Sequence, residues 1–268
     1  MPPGMDRVVV DMAGRKAVLF GYQGDAYFEQ INDHLYQSSV FVYELKRLPP
    51  GAVICDVGAN IGTSAIYSAF VVPDSRVLSF EPSPRALACL KRVVDANNLA
   101  NVEIVEAAVG ARAGRVALAE TDYLAGSHLV PVEGGAFYPA TAEVPVVALD
   151  DYLIREKKLE RLDLLKIDVE GFELDVLDGA MEVIERFRPR LVVEYSAFAI
   201  VVNADGSPLR LLQRLLDLAG PFDILMPWGG FRLESTPKSV KDFIFANMRV
   251  GAQDLTISVR PDYPGSPS

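Results

Sequence analysis

The stretch Val53-Ile54-Cys55-Asp56-Val57-Gly58-Ala59-Asn60-Ile61-Gly62 constrains the fold more than any other part of the chain. Residues 52–57 form an apolar run with one acid near its end, which suits a central strand buried on both faces. A glycine turn follows, and then a pattern with helical spacing. Strand, glycine turn and helix in this order let a backbone approach a ligand with no Cβ in the way. The helix start offers unpaired N–H groups to a carboxylate or phosphate. Glu81 closes the next apolar run, at a distance where a carboxylate can accept bonds from both hydroxyls of a ribose. Together these features predict a nucleoside cofactor.

Strand and helix patterns then alternate. Residues 76–80, 102–107, 162–168, 190–195, 222–226 and 242–247 read as strands, and 61–72, 84–97, 172–187 and 208–218 as helices. Ser83 stands as an N-cap with Pro84 at the first helical position. Residues 115–119 and 144–148 read as two further strands. Between them lies a long loop holding Gly126-Ser127-His128 and Gly134-Gly135, the kind of connection that serves as a lid or binding loop. Repeated strand–helix units imply an α/β fold, a mostly parallel sheet with helices on both faces. Ahead of it, 8–10 and 17–22 read as a hairpin across Ala13-Gly14-Arg15. A largely helical stretch over 26–48 follows, with a break near Ser38-Ser39, and ends at Pro49-Pro50-Gly51. The expected division is an N-terminal extension or cap over 1–48, a Rossmann-like domain over 49–250 and a tail over 251–268, disordered at 261–268.

A net charge of −10 over 268 residues argues against a large nucleic-acid footprint, which needs a cationic surface. The N-terminus lacks the basic flank and apolar run of a signal peptide, and no apolar stretch reaches the roughly eighteen residues a membrane span needs. The two cysteines, Cys55 in a strand and Cys89 in a helix, suggest a reducing compartment rather than a disulfide scaffold. A cytoplasmic protein is expected.

In an open parallel sheet, ligands sit beyond the carboxyl ends of the strands. Asp56, Glu81, Glu106, Asp168 and Glu194 fall there. Gly58-Ala59-Asn60-Ile61-Gly62 puts Asn60 where a dinucleotide fingerprint needs the glycine that admits a pyrophosphate. No Gly-Lys-Ser/Thr sequence is present either, so a P-loop is excluded. A cofactor with an amino-acid tail and no pyrophosphate fits better, and S-adenosylmethionine is the obvious one. In Leu165-Lys166-Ile167-Asp168-Val169-Glu170-Gly171, polar and apolar residues alternate. If the strand runs on through Glu170, the three polar side chains share a face. Lys166 needs a partner there, because a lone buried charge is costly, and Asp168 or Glu194 can supply it. One reading is a structural ion pair. The other sets Asp168 beside the reacting atoms, to orient or deprotonate a hydroxyl or to hold a divalent cation such as Mg²⁺ with Glu194. His128 is a candidate general base by its titration range or a surface residue, and His34 reads as structural.

The succession Asp56-Val-Gly-Ala-Asn-Ile-Gly62, Phe80-Glu81-Pro82, Ala108-Val109-Gly110 and Lys166-Ile-Asp-Val-Glu-Gly171 resembles the FkbM family of S-adenosylmethionine-dependent methyltransferases, over roughly residues 40–200. The resemblance implies a Rossmann-like class I sheet of seven strands with the last antiparallel. It also implies O-methylation of a small-molecule hydroxyl, on a sugar or a polyketide-type natural product. By position, Asp56, Gly58, Asn60 and Gly62 would line the methionine part of the cofactor and Glu81 the ribose. Glu106, Ala107 and Ala108 would lie beside the adenine, and Asp168 near the transferred methyl. Asp168, Glu170, Glu194 and His128 form the candidate catalytic set. The N-terminal strands and the loop over 121–141 match no family motif, and substrate choice is expected to lie there. A nicotinamide-dependent oxidoreductase, a cofactor-binding relative without turnover and a methyltransferase acting on a peptide stand as alternatives. The N-terminal helices would either cap the site or form a homodimer contact.

Overall fold

The computed structural model describes residues 4–31, 39–121, 126–130, 139–226, 229–249 and 254–261. The chain opens with the antiparallel hairpin β1 (Met5–Met12) and β2 (Arg15–Tyr22). Strands β3 (Val53–Val57), β4 (Arg76–Phe80), β5 (Val102–Val105), β6 (Ala108–Val109), β7 (Gly114–Ala119), β8 (His128–Leu129), β9 (Ala142–Val147), β10 (Leu164–Ile167), β11 (Arg190–Tyr195), β12 (Phe222–Met226), β13 (Gly229–Leu233) and β14 (Leu255–Val259) follow.

The main sheet runs β14-β11-β10-β3-β4-β5. Its pairs are parallel except β11 with β14. Strand order reverses between β3 and β10, so the crevice of an open α/β sheet falls above these two strands. Side chains alternate between two cores, as the pleat requires. Cys55, Val57, Leu165 and Ile167 enter one, with the helices Glu173–Asp178, Met181–Phe187, Pro208–Ala219 and Pro237–Arg249. Ile54, Leu164, Val77 and Val192 enter the other, with the helices Val40–Leu45, Thr63–Val71 and Pro84–Ala96. Met5, Met12, Leu19 and Phe20 of the hairpin pack into this second core, so the N-terminal segment covers one face of the sheet.

The expected strands at 76–80 and 190–195 and the cap at Ser83 stand as read. The Ser83 hydroxyl accepts the Ala86 N–H at 3.2 Å, with Pro84 beginning the helix.

Several expectations are corrected. Among the described residues the main sheet has six strands, not seven. Phe222–Met226 pairs with Gly229–Leu233 in a separate hairpin. Residues 242–247 are not a strand but part of the helix Pro237–Arg249. Val240, Phe243 and Asn247 are its buried positions, a 3–4 spacing that overrides the aromatic and β-branched run, and Thr236 Oγ1 caps the helix by accepting the Ser239 N–H. The antiparallel last strand is Leu255–Val259, so the expected tail over 251–268 contributes to the sheet.

The helix expected over 172–187 is two helices. At Gly179 a Cβ would lie 2.1 Å from the Gly110 carbonyl oxygen, and the Asp150 carboxylate caps the second helix through the Glu182 and Val183 N–H groups. The short helix Ala197–Val202 was not read from the sequence. The strands near 115–119 and 144–148 belong to a second sheet, β6-β9-β7-β8. His34, Gly134-Gly135 and the end of the chain over 262–268 lie outside the described residues. Among those described, no helix is long and apolar enough to cross a membrane.

Candidate active site

Past β3 the chain turns sharply under constraints that explain its glycines. Gly58 has φ +80°, and a Cβ there would fall 1.8 Å from the Asp168 carbonyl oxygen. The Gly58 and Ala59 N–H groups both donate to the Phe80 carbonyl at 3.0 Å. Asn60 takes a left-handed φ of 49°, a conformation asparagine tolerates better than most residues. Its N–H donates to Glu81 Oε2 at 2.8 Å, and the Ser83 N–H donates to Glu81 Oε1 at 2.8 Å. Glu81 thus ties the loop after β3 to the loop after β4. Burial pushes its carboxyl up to about 7, against the Ser83 and Asn60 N–H groups and Lys166, which favour the charged form.

The register of β10 on β3 sets Lys166 beside Asp56. Its Nζ lies 3.2 Å from Asp56 Oδ1 and 3.2 Å from Asp168 Oδ2, and it donates to the Gly58 carbonyl at 3.0 Å. Burial alone would lower the Lys166 pKa, but Asp168 and Asp56 together raise it above the ordinary lysine value. The ammonium thus stands between two carboxylates and a carbonyl.

Asp168 and Glu170 reach the same space by a turn and not by continued strand alternation, because β10 ends at Ile167. Glu170 has φ 56° and Gly171 φ 109°. A Cβ at Gly171 would meet the Ala199 carbonyl oxygen at 2.5 Å. Buried Glu173 holds the turn by accepting the Val169 and Gly171 N–H groups through Oε1, and Asn203 Nδ2 donates to the Glu170 carbonyl. One carboxylate oxygen from each of Asp168, Glu170 and Glu194 lies within 4.8 Å of the others. Burial and then the charge of Asp168 push both the Glu170 and Glu194 carboxyls above the usual range.

These groups face one cavity of about 360 Å³, within the ~300–1,000 Å³ typical of small-molecule sites. Gly58, Asn60, Glu81, Ala107, Ala108, His128, Asp168, Glu170 and Glu194 all line it. His128 is no surface residue. It sits in β8 opposite Ala119, 5% exposed, with Nδ1 2.9 Å from the Gly126 carbonyl.

Three expected contacts do not reach the cavity. Asp56 is completely buried beneath the loop, held by Lys166 and by the Ser64 hydroxyl. Gly62 begins the helix Thr63–Val71 at φ 97°, where a Cβ would strike Leu90 Cδ1 at 2.8 Å, so it serves helix packing. Glu106 turns outward to an exposed ion pair with Lys91 at 2.7 Å.

The sequence reading missed Tyr27, Thr63 and Asp254, which also line the cavity. The Tyr27 hydroxyl lies 3.1 Å from Thr63 Oγ1, which brings the short helix Ala26–Gln30 over the loop. No sequence signal pointed to Tyr27. Asp254 becomes findable once Leu255–Val259 is recognised as a strand.

An S-adenosyl cofactor fits these residues. The buried Asn60 Oδ1 has no partner, and Asn60 lines the cavity, so an acceptor for a cofactor ammonium is available there. Glu81 accepts one N–H on each oxygen, and a carboxylate oxygen can accept a second. The helix Thr63–Val71 starts at the cavity wall, with Thr63 and Ser64 in the lining.

Residues 56–217 match the family described as the Methyltransferase FkbM domain. The chain is 32% identical over 183 residues to methyltransferase sdnD of Sordaria araneosa, covering 58% of this chain and 68% of that one. It is 30% identical over 190 residues to 2-O-methyltransferase NoeI of Sinorhizobium fredii, covering 66% and 74%. It is 31% identical over 160 residues to 31-O-demethyl-FK506 methyltransferase FkbM of Streptomyces tacrolimicus, covering 50% and 61%.

Proposed function

The chain belongs to the FkbM methyltransferase family, and from that premise we propose that it methylates a hydroxyl of a small molecule, a sugar or a polyketide-type natural product. As a family member it is an S-adenosylmethionine-dependent methyltransferase. The names of the NoeI and FkbM relatives, both describing O-methylation, support oxygen as the acceptor atom. The observation that carries the reading is the cavity itself, lined both by the hydrogen-bonded pair Asn60 and Glu81 and by the cluster Asp168, Glu170 and Glu194.

S-adenosylmethionine supplies, when bound, a methyl group on a sulfonium already activated for attack. The chain has to hold the acceptor in line and handle one proton. Asn60 and Glu81 hold the cofactor's amino-acid and ribose parts, and Ala107 and Ala108 offer an apolar wall to the adenine. Asp168 is anchored through Oδ2 by Lys166 and presents the rest of its carboxylate to the cavity, where it orients the acceptor O–H and accepts its proton. Glu170 and Glu194 bind the acceptor beside Asp168. His128 packs as a wall residue whose ring is oriented by the Gly126 carbonyl.

Calorimetric titration with S-adenosylhomocysteine, with NADH in parallel, tests the cofactor. Micromolar binding of the first and none of the second is expected. No binding of S-adenosylhomocysteine would overturn the reading, and NADH binding would restore the oxidoreductase. Transfer of labelled methyl to sugars, polyketide alcohols and peptides then tests the acceptor, and label found only in peptides would refute the small-molecule assignment.

A further inference from the structure

We propose that Asp168, Glu170 and Glu194 bind one hard divalent cation, Mg²⁺ or Mn²⁺, in the cavity beside the acceptor. The donor set is all carboxylate oxygen, the chemistry that such ions select. The three oxygens lie within 4.8 Å of one another. An ion bonded to each at roughly 2.0–2.6 Å requires only small side-chain rotations.

A second observation points to a ligand independently of the clustering. Oε2 of Glu194 is shut off from solvent and has no hydrogen-bond partner, and the same holds for Oε2 of Glu173 behind the turn. A buried oxygen left this way lacks compensation for its lost hydration. The surroundings supply none. Lys166 is the only lysine or arginine among the described residues lining the cavity, and it is already ion-paired with Asp56 and Asp168 and donates to the Gly58 carbonyl. Five carboxyl groups, Glu81, Asp168, Glu170, Glu194 and Asp254, line the same space. A dication at the triad would offset this concentration of carboxylates, and Asp254 lines the same cavity.

The role of the ion rests on the methyltransferase reading. Placed there, it would polarise an acceptor hydroxyl and fix its orientation, work that Asp168 otherwise performs as an organic base.

The test titrates Mn²⁺ into the full chain, followed by calorimetry and by the loss of the free-ion electron paramagnetic resonance signal, with Mg²⁺ as competitor. One Mn²⁺ per chain is expected, displaced by Mg²⁺ and weakened at least about tenfold in Glu194→Gln and in Glu170→Gln. Metal-free S-adenosylhomocysteine binding in each preparation shows that the variants are folded. If S-adenosylhomocysteine binds and Mn²⁺ does not up to about 1 mM, the cation site is refuted and the methyltransferase reading stands. Mn²⁺ binding of equal strength in both variants places the ion elsewhere and also refutes it. If Mn²⁺ binds at the triad and S-adenosylhomocysteine does not, the site holds and the role assigned to the ion falls.

Discussion

Replacing Glu81 by alanine removes an acceptor shared by two loops and, on our reading, by the cofactor ribose. The Asn60 and Ser83 N–H groups each donate to one of its oxygens at 2.8 Å, so the remaining acceptor capacity faces the cavity it lines. Hydrogen bonds to a charged group contribute about 1.5–3 kcal/mol. At 1.4 kcal/mol per tenfold, Glu81→Ala should weaken S-adenosylhomocysteine binding by about ten- to a hundredfold. A second perturbation needs no variant. Burial pushes the Glu81 carboxyl up to about 7, so the acceptor-only form is the minority species below that pH. If the ribose hydroxyls donate to the ionised form, binding should be about tenfold weaker at pH 6 than at pH 8. Calorimetric titration at pH 6, 7 and 8 reads both effects, with urea unfolding to show that the variant is folded. A flat wild-type profile would refute the coupling even if Glu81→Ala failed to fold. Wild-type affinity in a folded Glu81→Ala would remove Glu81 from the cofactor site.

Asp168→Asn should leave S-adenosylhomocysteine affinity within a few-fold and cut turnover at least about a hundredfold, as for loss of a general base. Near-normal turnover in a labelled-methyl assay would end its catalytic role. Gly58→Ala forces a Cβ to 1.8 Å from the Asp168 carbonyl oxygen at positive φ. Strain and overpacking together should cost about 2–5 kcal/mol in urea unfolding, and a loss below about 0.5 kcal/mol would show that the two loops part easily. Lys166→Met leaves completely buried Asp56 without its cation. Breaking such a pair costs about 3–5 kcal/mol, so a variant as stable as wild type would contradict the pairing. Glu81 and Glu173 are both buried with carboxyls raised from 4.5 to about 7. A folded value above the unfolded one contributes stability that is fully present below about pH 4.5 and lost as pH rises through about 7. Each group can contribute up to about 3 kcal/mol, so the urea midpoint of the ligand-free chain should fall between pH 5.5 and pH 8. A midpoint that rises over this interval would refute the assignment.

Elements whose pattern answers to local physics were legible in the sequence: the parallel strands over 76–80 and 190–195, and the helix opened by Ser83 and Pro84. Elements set by tertiary contact were not. Leu255–Val259 is five residues long and gains strand identity only by lying antiparallel to β11. Pro237–Arg249 looked extended at Phe243-Ile244-Phe245 until the buried positions Val240, Phe243 and Asn247 fixed the period. Glu170 was rightly brought toward Asp168 for the wrong reason, since a left-handed turn delivers it.

The carboxylates show why the site was only partly readable. Asp56, Glu81, Glu106 and Asp168 all close apolar runs, and the one-dimensional pattern treats them alike. Their fates depend on what lies alongside. Asp56 is still inside β3, between β4 and β10, so its side chain meets Lys166 within the sheet and none of it is left for a ligand. Glu81 and Asp168 each stand one residue past the end of a central strand, where neighbouring strands no longer fill the space and the cavity begins. Glu106 also stands one residue past its strand, but β5 is the edge of the sheet, and Lys91 draws the side chain outward. Whereas Glu194 reaches the cavity from within β11, among these four the carboxylates that face the cavity are those that end a central strand and leave the ladder. Strand order supplies that condition, which no single apolar run contains.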